Sequence, residues 1–173
     1  MMMDSVLNID DIDKNIIELI QEQPTLTHTE IARKVNRSQP TIGMRIRKLE
    51  STGLLKFQAG INIRNLDLIC ARVDLQTLDG EDILKLVENC PYMLNAFKLS
   101  GTSNISIFMV CSKLDYLDSI VNYHFRKNPN VINVHIDIIT DMVKDFVLPF
   151  EFDFQKCTMQ ESGECCGKCK CKR

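Results

Sequence analysis

The sequence predicts an α+β protein in which a helical region is followed by a region that contains a sheet. Apolar residues recur with helical spacing up to about residue 54. From residue 68 the pattern changes to strand-like and helix-like segments in the order βαββαβ. A cysteine-rich stretch ends the chain. These observations predict three regions, which comprise residues 1–64, 65–150 and 151–173.

The first two helices are predicted from apolar spacing and from capping residues. Apolar residues every three or four positions predict a helix over 10–22, and acidic residues at its start suit the positive end of a helix. Thr27 and Glu30 have the T-x-x-E spacing of a capping box, which predicts a second helix over 27–36. Both helices are short, so we expect them to bury their apolar sides against a third.

A third helix is predicted over Gln39–Ser51, directly after the potential N-cap residue Ser38. Ile42, Ile46 and Leu49 have i, i+4, i+7 spacing and are expected to face inward. The opposite side carries Gln39, Thr41, Met44, Arg45, Arg47 and Lys48. Both a helix that lies in a DNA major groove and an ordinary surface helix display such residues. The tight, basic junction with the second helix predicts a helix-turn-helix.

The charge of the chain is strongly segregated. The formal net charge is −2, but residues 33–64 contain eight basic residues and one acidic residue, a balance of +7. Residues 66–155 contain seven basic and thirteen acidic residues, a balance of −6. A positive footprint confined to one module indicates a phosphate-binding surface. This favours the DNA interpretation of the third helix.

A wing is predicted after the third helix. Gly53 suits a helix end, and residues 54–58 and 61–64 have strand-like patterns that flank Ala59-Gly60. The two strands would form a hairpin that places Lys56 and Arg64 beside the sugar-phosphate backbone. The first region is therefore predicted to be a winged helix-turn-helix.

The second region is predicted to have a ferredoxin-like fold. Strands are expected over 68–76, 93–99, 105–111 and 131–139, and helices over 81–89 and 114–125. Ser112 and Asp115 have the spacing of a capping signal for the second of these helices. The order gives a four-stranded antiparallel sheet under two helices. Both faces of 105–111 are apolar, and these helices can cover only one, so we expect the other to pack on a second subunit.

The overall composition is that of a globular protein. Of the 173 residues, 25% are charged and 45% are hydrophobic. No apolar run approaches the roughly 18 residues of a membrane span, and the N-terminus lacks a signal-peptide pattern. We therefore expect a cytoplasmic protein without a membrane partner. The sequence also lacks a glycine-rich phosphate loop, a nucleophile elbow and an H-E-x-x-H pattern, so no enzyme activity is predicted.

The stretch from Ile9 to Leu55 resembles the winged-helix signature of the Lrp/AsnC family, the feast/famine transcriptional regulators. The similarity rests on the E-I-A core at 30–32, on the serine at the start of the recognition helix, and on the R-I-x-x-L-E-x-x-G run from Arg45 to Gly53. The βαββαβ region resembles the regulatory domain of the same family. The resemblance covers the chain to about Phe146.

The resemblance implies a double-stranded DNA partner and self-association. Family members form dimers through their regulatory sheets and often assemble further into tetramers or octamers. The resemblance also implies a small-molecule effector, such as an amino acid, bound between regulatory domains. Ser100, Gly101 and Asn104 match the G-x-x-D stretch of that site, but an asparagine cannot supply the carboxylate that pairs with an ammonium group. The alternative interpretation of these three residues is a plain hairpin turn.

DNA contacts are assigned by position along the predicted helix-turn-helix. Base-edge contacts are expected from Gln39, Thr41 and Arg45, phosphate contacts from Arg37, Arg47, Lys48 and Lys56, and Ser38 completes the set. Gln pairs with adenine and Arg with guanine, whereas phosphate contacts supply affinity that depends on salt and not on sequence.

The eight cysteines fall into two groups. Cys70, Cys90 and Cys111 lie in apolar contexts and are predicted to be core residues. The other five, in the tail of residues 151–173, are Cys157, Cys165, Cys166, Cys169 and Cys171. Their spacing, C-x7-C-C-x2-C-x-C, suffices for a zinc site or an iron–sulfur cluster, and reversible disulfides or free thiols are the alternatives. The rival function is therefore a redox or metal-handling protein in which the tail carries the chemistry.

Overall fold

A computed structural model describes residues 9–149, and the chain divides into two compact units between Gln58 and Ala59. The described part of the first unit contains three helices: α1 (Asp11–Glu22), α2 (His28–Lys34) and α3 (Gln39–Ser51). The predicted capping box of Thr27 and Glu30 forms at α2, and Asp10 and Asp13 make a second reciprocal capping box at α1 that was not predicted. Gly53 follows α3 with φ +73°, a conformation that favours glycine.

The apolar sides of the three helices meet in one cluster. It contains Ile16, Ile20, Ile31, Ala32, Ile42 and Ile46. Each helix contributes two of these residues, so none of the three buries its stripe without the other two. This arrangement confirms the predicted tri-helical unit.

The segment after α3 differs from the prediction. Residues 54–58 form no strand, and β1 (Ile61–Asn62) pairs with β6 (Val147–Leu148) near the end of the described chain. A Cβ at Gly60 would lie 2.6 Å from the carbonyl oxygen of Leu148, so this glycine permits a close backbone approach and does not form a hairpin turn. The predicted hairpin is therefore wrong. Arg64 lies in the 3₁₀ turn Ile63–Asn65 of the second unit.

The second unit has the predicted ferredoxin-like order. Besides β1, the 3₁₀ turn and β6, its described elements are β2 (Ile69–Thr77), α4 (Glu81–Val87), β3 (Met93–Lys98), β4 (Ile105–Cys111), α5 (Leu114–Val121), a π-helical turn (Asn122–Arg126) and β5 (Val131–Ile139). The sheet has the strand order β3-β4-β2-β5, and each neighbouring pair is antiparallel. The predicted capping signal before α5 is not used, because its N-cap is Lys113 and no side chain caps it.

The two faces of this sheet are covered differently. On the inner face, residues such as Val73 and Ile107 pack in one cluster with Ile120 and Phe125 of the helical layer. On the outer face, Val110 packs with Ile63, Leu148 and neighbouring apolar side chains of the same chain. The chain itself therefore covers one end of the outer face, and that end does not require a second subunit.

The cysteine predictions have separate outcomes. Cys70, Cys90 and Cys111 are buried in the apolar clusters of the second unit, as predicted. Burial raises the pKa of Cys111 to about 12, so this thiol stays protonated at neutral pH. The five tail cysteines lie outside the described residues. Within residues 9–149, no group of three or more potential ligand side chains is placed to hold a metal ion.

No helix in the described part of the chain is long and apolar enough to cross a membrane.

Candidate nucleic-acid interface

Helix α3 has one buried side and one exposed side. Ile42, Gly43, Ile46 and Leu49 are buried. The exposed side chains are Gln39, Pro40, Met44, Arg47, Lys48, Glu50 and Ser51. Most of these follow one another at the i, i+3, i+4 and i+7 spacing that defines a single helix side. The exposed side therefore combines two cations and the carboxylate of Glu50 with neutral groups that can contact bases.

The start of α3 is fixed by its own hydroxyl groups. Ser38 is the N-cap, and its Oγ accepts a hydrogen bond from the backbone N–H of Thr41 at 3.4 Å. The hydroxyls of Ser38 and Thr41 also lie 2.8 Å apart and form a hydrogen bond. Before this cap, Asn36 adopts φ +53°, and Arg37 donates to the Asn36 carbonyl at 2.9 Å. The hydroxyls of Ser38 and Thr41 thus stabilise the helix start in the unbound chain.

Gly43 lies on the side of α3 that faces α2, and a side chain there would meet α2 at ordinary van der Waals distances. A Cβ at this position would contact the His28 ring, with the Nδ1 atom at 3.5 Å. Arg47 lies on the adjacent turn, and its Nε donates to the Gly43 carbonyl at 3.2 Å. This bond orients the guanidinium along the helix. Arg47 and Lys48 are both exposed, as are Arg37 and Lys56, so the four predicted phosphate-contacting cations are accessible to solvent.

Arg45 is bound to the start of α1. Its Nη1 lies 2.7 Å from Oδ1 of Asp13 and 2.8 Å from Oδ2 of Asp10. The Asp13 side chain is buried and that of Arg45 is 27% exposed. Sequence reasoning missed this contact because the partners are separated by 32 and 35 positions. The predicted base contact of Arg45 stays a prediction, and it would require the guanidinium to leave both carboxylates.

The electrostatics of this cluster follow from its hydrogen bonds. The backbone N–H of Asp13, followed by the guanidinium of Arg45, lowers the pKa of Asp10 below its usual value. The carboxylates of Asp13 and Asp10 raise the pKa of Arg45. Asp10 and Arg45 are therefore both charged at neutral pH.

The predicted effector residues occupy the turn between β3 and β4. Ser100 and Gly101 are exposed. The Asn104 side chain donates from Nδ2 to the Thr77 carbonyl at 2.7 Å, and its Oδ1 accepts from the Thr77 N–H at 3.0 Å. Both ends of the amide thus bind the end of β2. This geometry favours the turn interpretation, and the effector site stays a prediction.

The Asp10 carboxylate should contribute to stability only while it is ionised. Its pKa is lowered by folding, so its contribution is present above the unfolded value of about 3.9 and is lost as the pH falls through the lower folded value. We expect Asp10→Asn, which keeps a capping side chain, to lower the free energy of unfolding at pH 7 by about 1 kcal/mol or less, because the pair is half exposed.

Urea unfolding of both proteins between pH 7 and pH 3 checks this expectation. The difference in unfolding free energy should shrink toward zero at the acidic end. Asp11→Asn is the matched control, since Asp11 is exposed and its ion pair with Lys14, at 3.0 Å, lies within α1. A deficit of Asp10→Asn that stays constant across this range would contradict the assignment.

Comparison with known proteins agrees with this fold. A family model for winged helix-turn-helix DNA-binding domains matches residues 9–56. In solved structures, AsnC of Escherichia coli superposes with a TM-score of 0.68 at 17% identity, over 80% of this chain and 96% of that one. LrpC of Bacillus subtilis also gives 0.68, at 21% identity, over 79% of this chain and 97% of that one.

Sequence relatives cover both units. An HTH-type transcriptional regulator of Pyrococcus horikoshii is 35% identical over 146 residues, which are 80% of this chain and 90% of the relative. The leucine-responsive regulatory protein of Rhizobium meliloti is 26% identical over 146 residues, 80% of this chain and 94% of that protein. The names of these relatives describe regulators of transcription and not enzymes. This chain belongs to the Lrp/AsnC family of DNA-binding transcriptional regulators.

Proposed function

We propose that this chain is a sequence-specific regulator that inserts α3 into the major groove of double-stranded DNA. The observation that carries the proposal is the exposed side of α3, which presents Gln39, Arg47 and Lys48 opposite a fully apolar buried side. The exposed cations would bind phosphates and fix the register of the helix. Gln39, in the first turn, would pair with an adenine edge.

The remaining predicted contacts have constrained roles. Thr41 can approach a base mainly through its methyl group, because its hydroxyl is bonded to Ser38. Arg45 contacts a base only if it releases Asp10 and Asp13, so we assign it to anchoring α3 in the unbound chain. Sequence preference would then depend on few side chains, while affinity depends on the cations.

Removal of one phosphate contact should change the salt dependence of DNA binding and leave sequence preference intact. We expect Lys48→Ala to weaken binding to all duplexes alike and to lower the slope of log K against log salt by about one unit. Fluorescence anisotropy between low and moderate salt measures both quantities. Lys85→Ala is the control, because Lys85 is an exposed lysine on α4 of the second unit. A slope unchanged by Lys48→Ala would contradict the proposed contact.

We infer that the functional unit is at least a dimer that forms through the outer face of the sheet. The end of this face that the chain does not cover contains an open hollow of about 350 Å³. Phe97, Leu99 and Phe108 supply its apolar lining, and Arg72 and Asp74 supply opposite charges. Arg72 Nε lies 3.3 Å from Asp74 Oδ2, so these charges pair within the chain, and the same face of a second copy would cover the apolar lining. Tetramers and octamers would be further assemblies of such dimers.

A charge placed in this face should separate the subunits. Phe97 is 53% exposed, and Phe97→Glu should raise the dimer dissociation constant by about 30-fold or more, the effect of removing a central apolar contact. Sedimentation velocity across a concentration series measures this change. Leu78→Glu is the control, because Leu78 is also exposed but lies between β2 and α4. Association that is equally strong in the Phe97→Glu protein would exclude this face as the interface.

We further propose that the tail controls the regulator by binding zinc or an iron–sulfur cluster. The support is the sequence alone, in which five thiols fall within seventeen positions beside several lysines that would stabilise thiolates. The rival function, a metal-handling protein with no regulatory role, is not favoured by the family assignment. In our proposal the tail adds a signal input to a DNA-binding protein.

Replacement of the five tail cysteines by serine should remove the bound metal. We expect protein purified without oxygen to contain about one zinc ion or one cluster per chain, the stoichiometry of a four-thiolate site. Elemental analysis and visible absorption measure the content. Cys90→Ala is the control, because Cys90 is buried in the second unit and its replacement should not change the metal content. Metal-free, colourless wild-type protein with five reactive tail thiols would contradict the proposal.

A further inference from the structure

We propose that Met44 recognises thymine in the major groove by contacting its C5 methyl group. The inference rests on the proposed docking of α3 and adds a sequence-determining contact to it. Met44 is 65% exposed, although its side chain is almost entirely apolar. It lies two positions after Ile42 and two before Ile46, both of which are buried, so it points away from the core.

The position of Met44 along α3 suits a base contact. In helix-turn-helix proteins the N-terminal part of the second helix contacts base edges. Met44 is in the first half of α3, one turn after Pro40 and one turn before Lys48, which are both exposed on the same side. Phosphate contacts by Lys48 and Arg47 would therefore bring the Met44 side chain toward the floor of the groove.

The chemistry of Met44 selects one kind of partner. A thioether does not donate a hydrogen bond and accepts one only weakly, so it cannot recognise the donor and acceptor pattern of a base edge. The apolar group that natural base pairs present in the major groove is the thymine methyl. A flexible, polarizable side chain can pack on this methyl in more than one geometry.

The neighbouring polar groups leave this role to Met44. Arg45 is bonded to Asp10 and Asp13, and the hydroxyls of Ser38 and Thr41 bind each other. In the first half of α3 the exposed groups are thus the amide of Gln39, the ring of Pro40 and the side chain of Met44. This half of the helix therefore has few groups that can recognise a base by hydrogen bonding. An apolar contact would account for a larger share of its sequence preference.

Single replacement of thymine by uracil tests the contact, because uracil lacks only the methyl group. A preferred duplex is first selected with the full wild-type chain from a randomised pool, and each thymine is then replaced in turn. At one thymine in each half-site we expect the wild-type affinity to fall about fourfold, the effect of losing one buried methyl group. The same replacement of thymine by uracil should not change the DNA affinity of the Met44→Ala protein. The Met44→Leu protein should again bind the uracil duplex more weakly than the thymine duplex.

Unfolding midpoints of both variants should equal that of the wild type, because the side chain is largely exposed. Uracil could lower the DNA affinity of the wild type and of Met44→Ala equally at every position, or leave both affinities unchanged. Either result would show that Met44 does not recognise thymine, and the proposed function would still stand. If the pool yields no preferred duplex, both the sequence-specific function and the role of Met44 are overturned.

Discussion

The DNA-binding unit depends on the contact between Arg45 of α3 and the two aspartates at the start of α1. Asp10 and Asp13 form the capping box of α1, and the Nη1 atom of Arg45 binds both carboxylates. The same two side chains therefore begin one helix and hold the orientation of another. Asp13 is buried, so removal of the guanidinium would leave a buried carboxylate without its cationic partner. The free energy of folding lost in this way is larger than the free energy that an exposed ion pair contributes.

Local signals in the sequence determine most of the helical unit. The bounds of α3 agree with the prediction, because Ser38, Pro40 and Gly53 act within a few residues of the helix ends. The strands of the second unit were likewise predictable from alternation. The pairing of β1 with β6 was not, because it joins Ile61 and Leu148, which are far apart in sequence. A glycine beside a short apolar run is equally compatible with a turn and with a close backbone approach.

The candidate site was predictable as a surface but not as a set of contacts. Helical spacing identifies the exposed side of α3, and the cations Arg47 and Lys48 lie on it as predicted. Spacing alone cannot show that Arg45 is bound to residues of another helix. For the same reason the predicted effector residue Asn104 proves to be bonded to Thr77, a partner that lies 27 positions away. In both cases a polar side chain that the sequence predicts to bind a ligand already has a hydrogen-bonding partner in the fold.

The small number of groups on α3 that are free to contact bases has a consequence for assembly. An amide pair with adenine contributes about 1–3 kcal/mol of discrimination, and an apolar methyl contact about 0.8 kcal/mol. One helix with these two contacts would distinguish its site by roughly 10²-fold. Two helices in a symmetric dimer add their free energies, so the ratio is squared to about 10⁴, within the range of specific DNA-binding proteins. In the proposed dimer, the second copy of α3 would therefore supply specificity that the anchored Arg45 does not.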